Sequence, residues 1–449
     1  MEDTIVGVAT AAGEGGVAIV RVSGPEAVCL FEQAFQPRGA RPPYESHRLM
    51  VGHAVDETGP IDEAMGVVMY APRSYTREDV CEIHTHGGSA AASLVMRRLV
   101  RLGARPAEAG EFTRRAFMNG RIDLMQAEAV MGVISARSAA ALRAGERQLE
   151  GGQSRFIRKA QEDLTALLSG LEAHIDYPDE IGEEEALSGL CEGLDKLIAQ
   201  LDGAIDERGA RIVREGLRVA LCGRPNAGKS TLFNALLGED RAIVTDVPGT
   251  TRDVLEGSFT LDGTNVLLQD TAGLRDSGDA VERIGVERAR AALARADVAL
   301  MVVDASQDPD DEVLDLLRME APCPCAVLLN KEDAGECLTL AQAEELTDKR
   351  PILRVSAREG EGLDAVRDYL RGFLRNPDEL ALTHERHMAV ARQALVKLRD
   401  AQSGLASGGL IDLAAVDLHE ALYLLGRITG DSVDEKLLDD IFSRFCVGK

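Results

Sequence analysis

The chain of 449 residues carries eight cysteines but no C-x-x-C pair and no metal-ligand spacing, so neither a zinc ribbon nor a redox dithiol is written into it. Cys29, Cys81, Cys191, Cys222, Cys323, Cys325, Cys337 and Cys446 read as thiols of a reducing compartment, most of them buried or incidental. Cys323-Pro324-Cys325 is too close for an easy internal bridge. His84-Thr85-His86 lacks a supporting ligand cluster, which favours a structural role over a metal site. No apolar run approaches the ~18 to 20 residues needed to cross a bilayer, and Met1-Glu2-Asp3 opens no signal-peptide pattern. A cytoplasmic protein without membrane association is the expectation. Basic residues are scarce: 50 Lys and Arg stand against 75 Asp and Glu, a net charge of −25. That excludes a grip on nucleic acid by overall charge, so an RNA partner requires a local basic surface or a second protein. Solubility in a crowded cytoplasm explains the acidity equally well.

What is present is concentrated mid-chain. Gly223-Arg224-Pro225-Asn226-Ala227-Gly228-Lys229-Ser230 fits the phosphate-binding loop G-x-x-x-x-G-K-[ST]. The apolar run Leu217–Cys222 before it predicts a strand, and the spacing of Thr231–Leu237 after it predicts a helix. Backbone N–H groups of such a loop curl around phosphate oxygens at a helix N-terminus. The cradle is assigned to Asn226, Ala227, Gly228, Lys229, Ser230 and Thr231, with Lys229 reaching the β- and γ-phosphates and Ser230 on Mg²⁺. Asp270-Thr271-Ala272-Gly273 follows another apolar run; Asp270 can hold the metal's water shell and the Gly273 N–H can meet the γ-phosphate.

Ala326–Leu329 leads into Asn330-Lys331-Glu332-Asp333, a guanine reader: the Asp333 carboxylate can accept two N–H groups that adenine does not offer together. Lys331 can cover the base and Asn330 can brace the loop. Ser356-Ala357, followed by Arg358, is placed for a backbone N–H to meet guanine O6. Four such elements in order predict a G domain that binds GTP. Thr245-Asp246-Val247-Pro248-Gly249-Thr250-Thr251-Arg252 suits a mobile switch loop, with Thr251 a second Mg²⁺ ligand and Arg252 either an arginine finger or a surface residue. Leu274 stands where a glutamine commonly orients water. Asn226 is either a turn-former or a ligand for a monovalent cation beside the developing charge.

Texture divides the rest. Val17–Val22 and Gly66–Tyr70 read as strands and Ser89–Leu102 as a helix, an α+β domain over 1–118. Residues 119–215 are helical, with apolar spacing at Leu164, Leu167, Leu168 and Leu171. The G domain takes 216–374, and helical texture returns over 375–449 through Leu395, Leu398, Leu418, Leu422, Leu425 and Leu438. The expected fold class is multidomain α/β: a P-loop G domain inserted into an α-helical domain and preceded by an α+β domain. Cys446 near the terminus fits a prenylation box poorly; it is either an activated nucleophile or an ordinary thiol.

Joint occurrence of several motifs resembles one family over the whole chain, the MnmE (TrmE) tRNA modification GTPases. The motifs are Val20-Arg21-Val22-Ser23-Gly24, Tyr75-Thr76-x-Glu78-Asp79-Val80, Gly110-Glu111-Phe112-Thr113, Arg115-Ala116-Phe117-x-Asn119, Asp123-Leu124-x-Gln126-Ala127-Glu128-Ala129, Gly223-Arg224-Pro225-Asn226, Gly249-Thr250-Thr251-Arg252-Asp253 and the ending Phe445-Cys446-Val447-Gly448-Lys449. The resemblance implies a homodimer that works with an FAD-containing partner, MnmG, to install an aminomethyl or carboxymethylaminomethyl group at C5 of the wobble uridine of tRNA. It implies a tetrahydrofolate-binding-like N-terminal domain whose one-carbon donor is 5,10-methylenetetrahydrofolate or 5-formyltetrahydrofolate, held by Arg21, Glu78, Arg121 and Lys449. It implies K⁺ held by Asn226, Thr245, Val247 and Thr250, and a catalytic water ordered by Glu282. With Lys229 on the phosphates and Cys446 at the folate, these are the expected catalytic groups. A ribosome-assembly GTPase without modification chemistry is the competing reading.

Overall fold

The computed structural model describes residues 3–177, 183–238, 255–270, 293–319, 321–347, 350–407 and 411–448. They form two compact units. One comprises residues 1–131, 148–201 and 390–449, the other residues 132–147 and 202–389.

The first unit begins with a seven-stranded sheet: β1 (Ile5–Val8), β2 (Val17–Ser23), β3 (Phe35–Pro37), β4 (Met50–Asp56), β5 (Gly59–Met69), β6 (Val80–His86) and β7 (Arg105–Pro106), in the order β3-β4-β5-β6-β2-β1-β7. Pairing is antiparallel except for β1 with β7. Alternation does the sorting, because successive side chains of a strand point to opposite faces. Val20 and Val22 of β2, with Cys81 and Ile83 of β6, turn to one face and are buried with Phe31, Val95 and Leu99 of the helices Ala27–Ala34 and Ser89–Leu102. Arg21 of β2, paired in register with Glu82 of β6, turns to the other.

The same unit contains long helices. Ile411–Thr429 lies along Gly152–Asp176, and Leu164, Leu168 and Leu171 are buried there, as are Leu418, Ala421 and Leu425. Each such leucine contributes about 1.5 to 3 kcal/mol by leaving water. The short helix Glu435–Ser443 starts at Asp434, whose carboxylate accepts the Leu437 N–H at 2.7 Å. Its Phe442, together with Phe445, packs with Leu124, Ala127 and Phe117. The chain end then returns to the sheet domain: Val447 bridges Ala109, and the Gly110 N–H donates to the Cys446 carbonyl at 3.4 Å. Gly448 has φ +96°, and any Cβ there would collide with the Val8 carbonyl, so the tail can lie this close to β1 only as glycine.

The second unit is a six-stranded sheet of β8 (Leu217–Cys222), β9 (Leu255–Leu261), β10 (Thr264–Asp270), β11 (Val298–Asp304), β12 (Cys325–Asn330) and β13 (Ile352–Val355), ordered β13-β12-β11-β8-β10-β9. All neighbours are parallel except β9 and β10. Central strands read as continuous apolar runs because helices cover both faces; every residue of β11 from Val298 to Val303 is buried. The β9–β10 hairpin is an addition to the sequence reading. Its signal is Asp262-Gly263, with φ of +49° and +81°, the positive pair that a two-residue hairpin turn requires. Residues 132–147 also belong to this unit: the Ala140 N–H donates to Gly263 O at 2.8 Å, and Ala140 and Ala144 pack on Val213 and Leu380.

Candidate functional site

Strand order reverses at β8, whose two neighbours are β10 on one side and β11 on the other. In open parallel sheets, ligands bind at the carboxyl ends of the strands at such a switch point. The loop 223–228 emerges from the end of β8 and feeds the helix Lys229–Leu237, so the P-loop occupies that point. Gly228 is left-handed at φ +94°, and a Cβ there would run into the Asn330 carboxamide. Lys229 is buried, and its ammonium donates to the Gly223 and Arg224 carbonyls at 2.8 and 2.5 Å, which curls the loop around it. Asn226 sits exposed at the loop's tip with φ +63°, a conformation asparagine tolerates better than most residues. Ser230 is exposed at the helix start, where the helix dipole and its first N–H groups favour an anion.

The base-reading elements lie on the adjoining strand ends. Asn330, the last residue of β12, is almost wholly buried. Its amide donates to the Ala227 carbonyl at 2.8 Å, and its carbonyl accepts the Ala357 N–H at 3.0 Å. One side chain therefore ties the P-loop to the segment after β13. The Asp333 carboxylate accepts the Ser356 hydroxyl at 2.6 Å and faces solvent. Lys331 donates to Asp304 at 2.6 Å, and Asp304 also accepts the Ser306 hydroxyl at 2.6 Å. Burial pushes the Asp304 carboxyl upward, but the Lys331 and Ser306 hydrogen bonds outweigh it and hold the group below its ordinary value. In the turn that follows β13, the Ala357 N–H donates to the Asn330 carbonyl at 3.0 Å and the Ser356 N–H to the Glu361 carbonyl at 3.0 Å. Arg358 is exposed and pairs with Glu359.

The residues Thr245, Asp246, Val247, Pro248, Gly249, Thr250, Thr251, Thr271, Ala272, Gly273, Glu282 and Lys449 lie outside the described residues, as do Arg252 and Leu274. Asp270 is described only as the final residue of β10, paired in register with Leu221 of β8. This places its backbone beside the start of the P-loop.

A second cluster stands on the face of the first unit's sheet opposite its two helices. The Arg21 guanidinium lies 5.2 Å from the Tyr75 ring centre and 5.7 Å from that of Phe112, and Arg121 lies 4.7 Å from Tyr75. Arg121 also donates to the Tyr75 carbonyl at 2.9 Å, and the Tyr75 hydroxyl is fixed against Thr113 at 2.9 Å. Glu82 pairs with Arg21 through Nε only, so the rest of that guanidinium and the Arg121 guanidinium at the same ring suit a ligand that brings negative charge. A ligand carrying carboxylates and a flat ring system fits this donor set. Glu78 does not join Arg21 directly. It accepts the Ser23 hydroxyl at 2.7 Å and pairs with Arg115 at 3.2 Å, while lining a cleft of about 520 Å³ with Gly24, Arg77, Asp79 and Asn119. Cys446 is exposed on the tail that reaches this domain.

Behind the cluster lies a network that sequence reading missed. Arg115 is 0 % exposed and pairs with Asp3, Glu78 and Glu111 at 2.8, 3.2 and 3.0 Å; Glu111 also takes Arg105 at 2.6 Å. Burial would raise the Glu111 carboxyl, yet the Arg105 contact, the Glu108 N–H and Arg115 keep it below its ordinary value. Glu111 and Arg115 stand four apart on one helix, a readable pair, but no spacing announces that Asp3, Glu78 and Arg105 join them.

Comparison with known proteins places the whole chain. Residues 4–121 match the family model "GTP-binding protein TrmE N-terminus", and residues 124–446 match "MnmE helical domain". The chain is 45% identical over 463 residues to the tRNA modification GTPase MnmE of Heliobacterium modesticaldum, covering 100% of this chain and 99% of that one. It is 41% identical over 454 residues to the protein of the same description from Listeria innocua, with 100% and 99% covered. With that of Clostridioides difficile it shares 39% over 457 residues, covering both fully at 100%. Two family models end to end and relatives matched along their whole length leave no part of the chain unassigned: it belongs to the MnmE (TrmE) family of tRNA modification GTPases.

Proposed function

We propose that this chain is a guanine-specific GTPase that acts in tRNA modification. The observation that carries the reading is the Asn330 side chain, which joins the P-loop at Ala227 to the guanine-reading segment at Ala357 in a chain whose relatives match end to end. Lys229 neutralises the β- and γ-phosphates, Ser230 with Thr251 holds Mg²⁺, and Asp333 selects the base. Asn226, exposed at the loop tip, takes K⁺ together with Thr245, Val247 and Thr250, and the ion supplies positive charge where it develops. Glu282 orders the attacking water in place of a glutamine.

The finer reading is that GTP turnover serves installation of an aminomethyl or carboxymethylaminomethyl group at C5 of the wobble uridine. The chain works as a cytoplasmic homodimer with an FAD-containing partner, MnmG. Its one-carbon donor is a tetrahydrofolate, 5,10-methylene or 5-formyl, held by Arg21, Arg121, Glu78 and Lys449, with Cys446 beside it. The donor, when bound, supplies the carbon; the chain's own residues bind and orient it. Supporting this is the pair of guanidinium groups at Tyr75 and the return of the tail to the same domain.

Turnover of GTP measured in K⁺ and in Na⁺ tests the nucleotide half. The expected result is faster turnover in K⁺, with the gain abolished by Asn226→Ala; equal rates in the two salts would remove the cation. Isothermal calorimetry with 5-formyltetrahydrofolate tests the other half, and an absence of binding would remove the cofactor.

A further inference from the structure

The pair His84 and Glu82 was singled out by neither the nucleotide chemistry nor the family motifs. Antiparallel pairing sets Glu82 directly opposite Arg21, and His84 opposite Ile19, on the same sheet face. Glu82 Oε1 accepts the Arg21 Nε–H at 2.8 Å, and Glu82 Oε2 meets His84 Nε2 at 2.9 Å. All three side chains are largely covered: 17 % of Arg21, 13 % of Glu82 and 16 % of His84 remains exposed. Burial alone would raise the Glu82 carboxyl; the His84 and Arg21 contacts together outweigh it, so the group stays ionised.

The consequence is geometric. With Nε committed to Glu82, neither terminal amino group of the Arg21 guanidinium has a hydrogen-bond partner among the described residues, and its end-on edge is left for a ligand. A planar guanidinium whose Nε is anchored presents its remaining fork in one fixed direction, the geometry that receives a carboxylate in two parallel hydrogen bonds. The rings of Tyr75 and Phe112 lie beside it. We propose that Glu82 is the positioning residue that aims the Arg21 fork at a carboxylate-bearing ligand, and that His84 is the strut that holds Glu82 in place. The identity of that ligand as a reduced folate rests on the function proposed above; the positioning of Arg21 does not.

The strut is needed because a carboxylate bound at one oxygen only can swing about its terminal torsion. Fixing the second oxygen on His84 removes that freedom before the ligand arrives, which lowers the ordering cost of binding. Glutamine at 84 can still donate to Glu82, whereas alanine does not.

The test uses the full-length protein and two readouts. The first is calorimetric affinity for 5-formyltetrahydrofolate. Glu82→Gln is expected to weaken binding about tenfold, since the hydrogen bond that anchors Arg21 loses its acceptor's charge. In an Arg21→Ala background the same change should do almost nothing, because Glu82 acts only through Arg21. His84→Ala should cost about threefold, a modest hydrogen-bond loss, and His84→Gln should restore most of it. The second readout is the ¹H–¹⁵N resonance of the Arg21 side-chain Nε–H, assigned by its loss in Arg21→Lys. It should be slow to exchange in the unliganded protein and fast in Glu82→Gln. Equal losses from Glu82→Gln with and without Arg21, or an Nε–H unaffected by Glu82→Gln, would overturn the positioning role; His84→Gln behaving as His84→Ala would overturn the strut. If wild type binds no folate while the Nε–H behaves as expected, the ligand assignment fails and the positioning stands.

Discussion

The nucleotide loop and the arginine–tyrosine cluster solve the same problem, holding an anionic ligand, by opposite means. The loop is built from consecutive backbone, with one buried side chain, Asn330, bracing it from a neighbouring strand. The cluster is built from side chains: Arg21 on a strand, Tyr75 and Arg121 on loops, Phe112 on a helix, held by carboxylates from elsewhere. Backbone sites are precise because the sheet fixes them, and they depend on glycine. Side-chain sites depend on a supporting shell of paired charges, and they fail when that shell is breached.

The comparison can be broken from the side-chain end first. Arg115→Met leaves Asp3, Glu78 and Glu111 facing one another across a space that held a fully buried cation. Removing one partner of a buried charge network costs about 3 to 5 kcal/mol. Thermal unfolding should show the first unit melting early, with GTP turnover at low temperature retained. From the backbone end, Lys229→Ala should cut GTP turnover about 100- to 1,000-fold, the usual worth of one preorganised electrostatic group, while leaving folate binding unchanged. Next in size is Gly228→Ala. Its positive φ and the Asn330 amide in its path together cost about 1 to 3 kcal/mol, read as weaker affinity for a fluorescent GDP.

Acid acts on both regions but on more groups in the first unit. Asp3, Glu82 and Glu111 are held below their ordinary values in the folded protein, as Asp304 is beside the nucleotide loop. A depressed carboxyl contributes stability that is present above its unfolded value and is lost as pH falls toward its folded one. The first unit should therefore lose melting temperature as pH drops below the ordinary carboxylate range, and Glu111→Gln should flatten that slope. The smallest effect expected is from Asp304→Asn, which frees Lys331 from its anchor and should weaken guanine nucleotide binding by about 1 kcal/mol.

The same contrast explains what could be read in advance. The loop at 223–230 was legible because its residues are consecutive and its flanks carry the strand and helix periods; β8 and β12 appear where their apolar runs place them. Asn330 was legible as a brace, but not that it would also occupy the Ala357 N–H, since that depends on how β12 and β13 are registered. The hairpin turn Asp262-Gly263 was a readable signal passed over. Arg21 came from the family motif, whereas its partner Glu82 becomes visible only once β2 and β6 are paired. Of the Arg115 network only the Glu111 pair, four apart on one helix, follows from spacing; residues 3 and 78 reach Arg115 only in three dimensions.

Nucleotide turnover at the P-loop is proposed to serve tRNA modification. Mass spectrometry of tRNA nucleosides from cells lacking this chain, complemented with wild type or with Lys229→Ala, tests it most directly. The modified wobble uridine should return with wild type and stay absent with Lys229→Ala. Full restoration by Lys229→Ala would contradict the account.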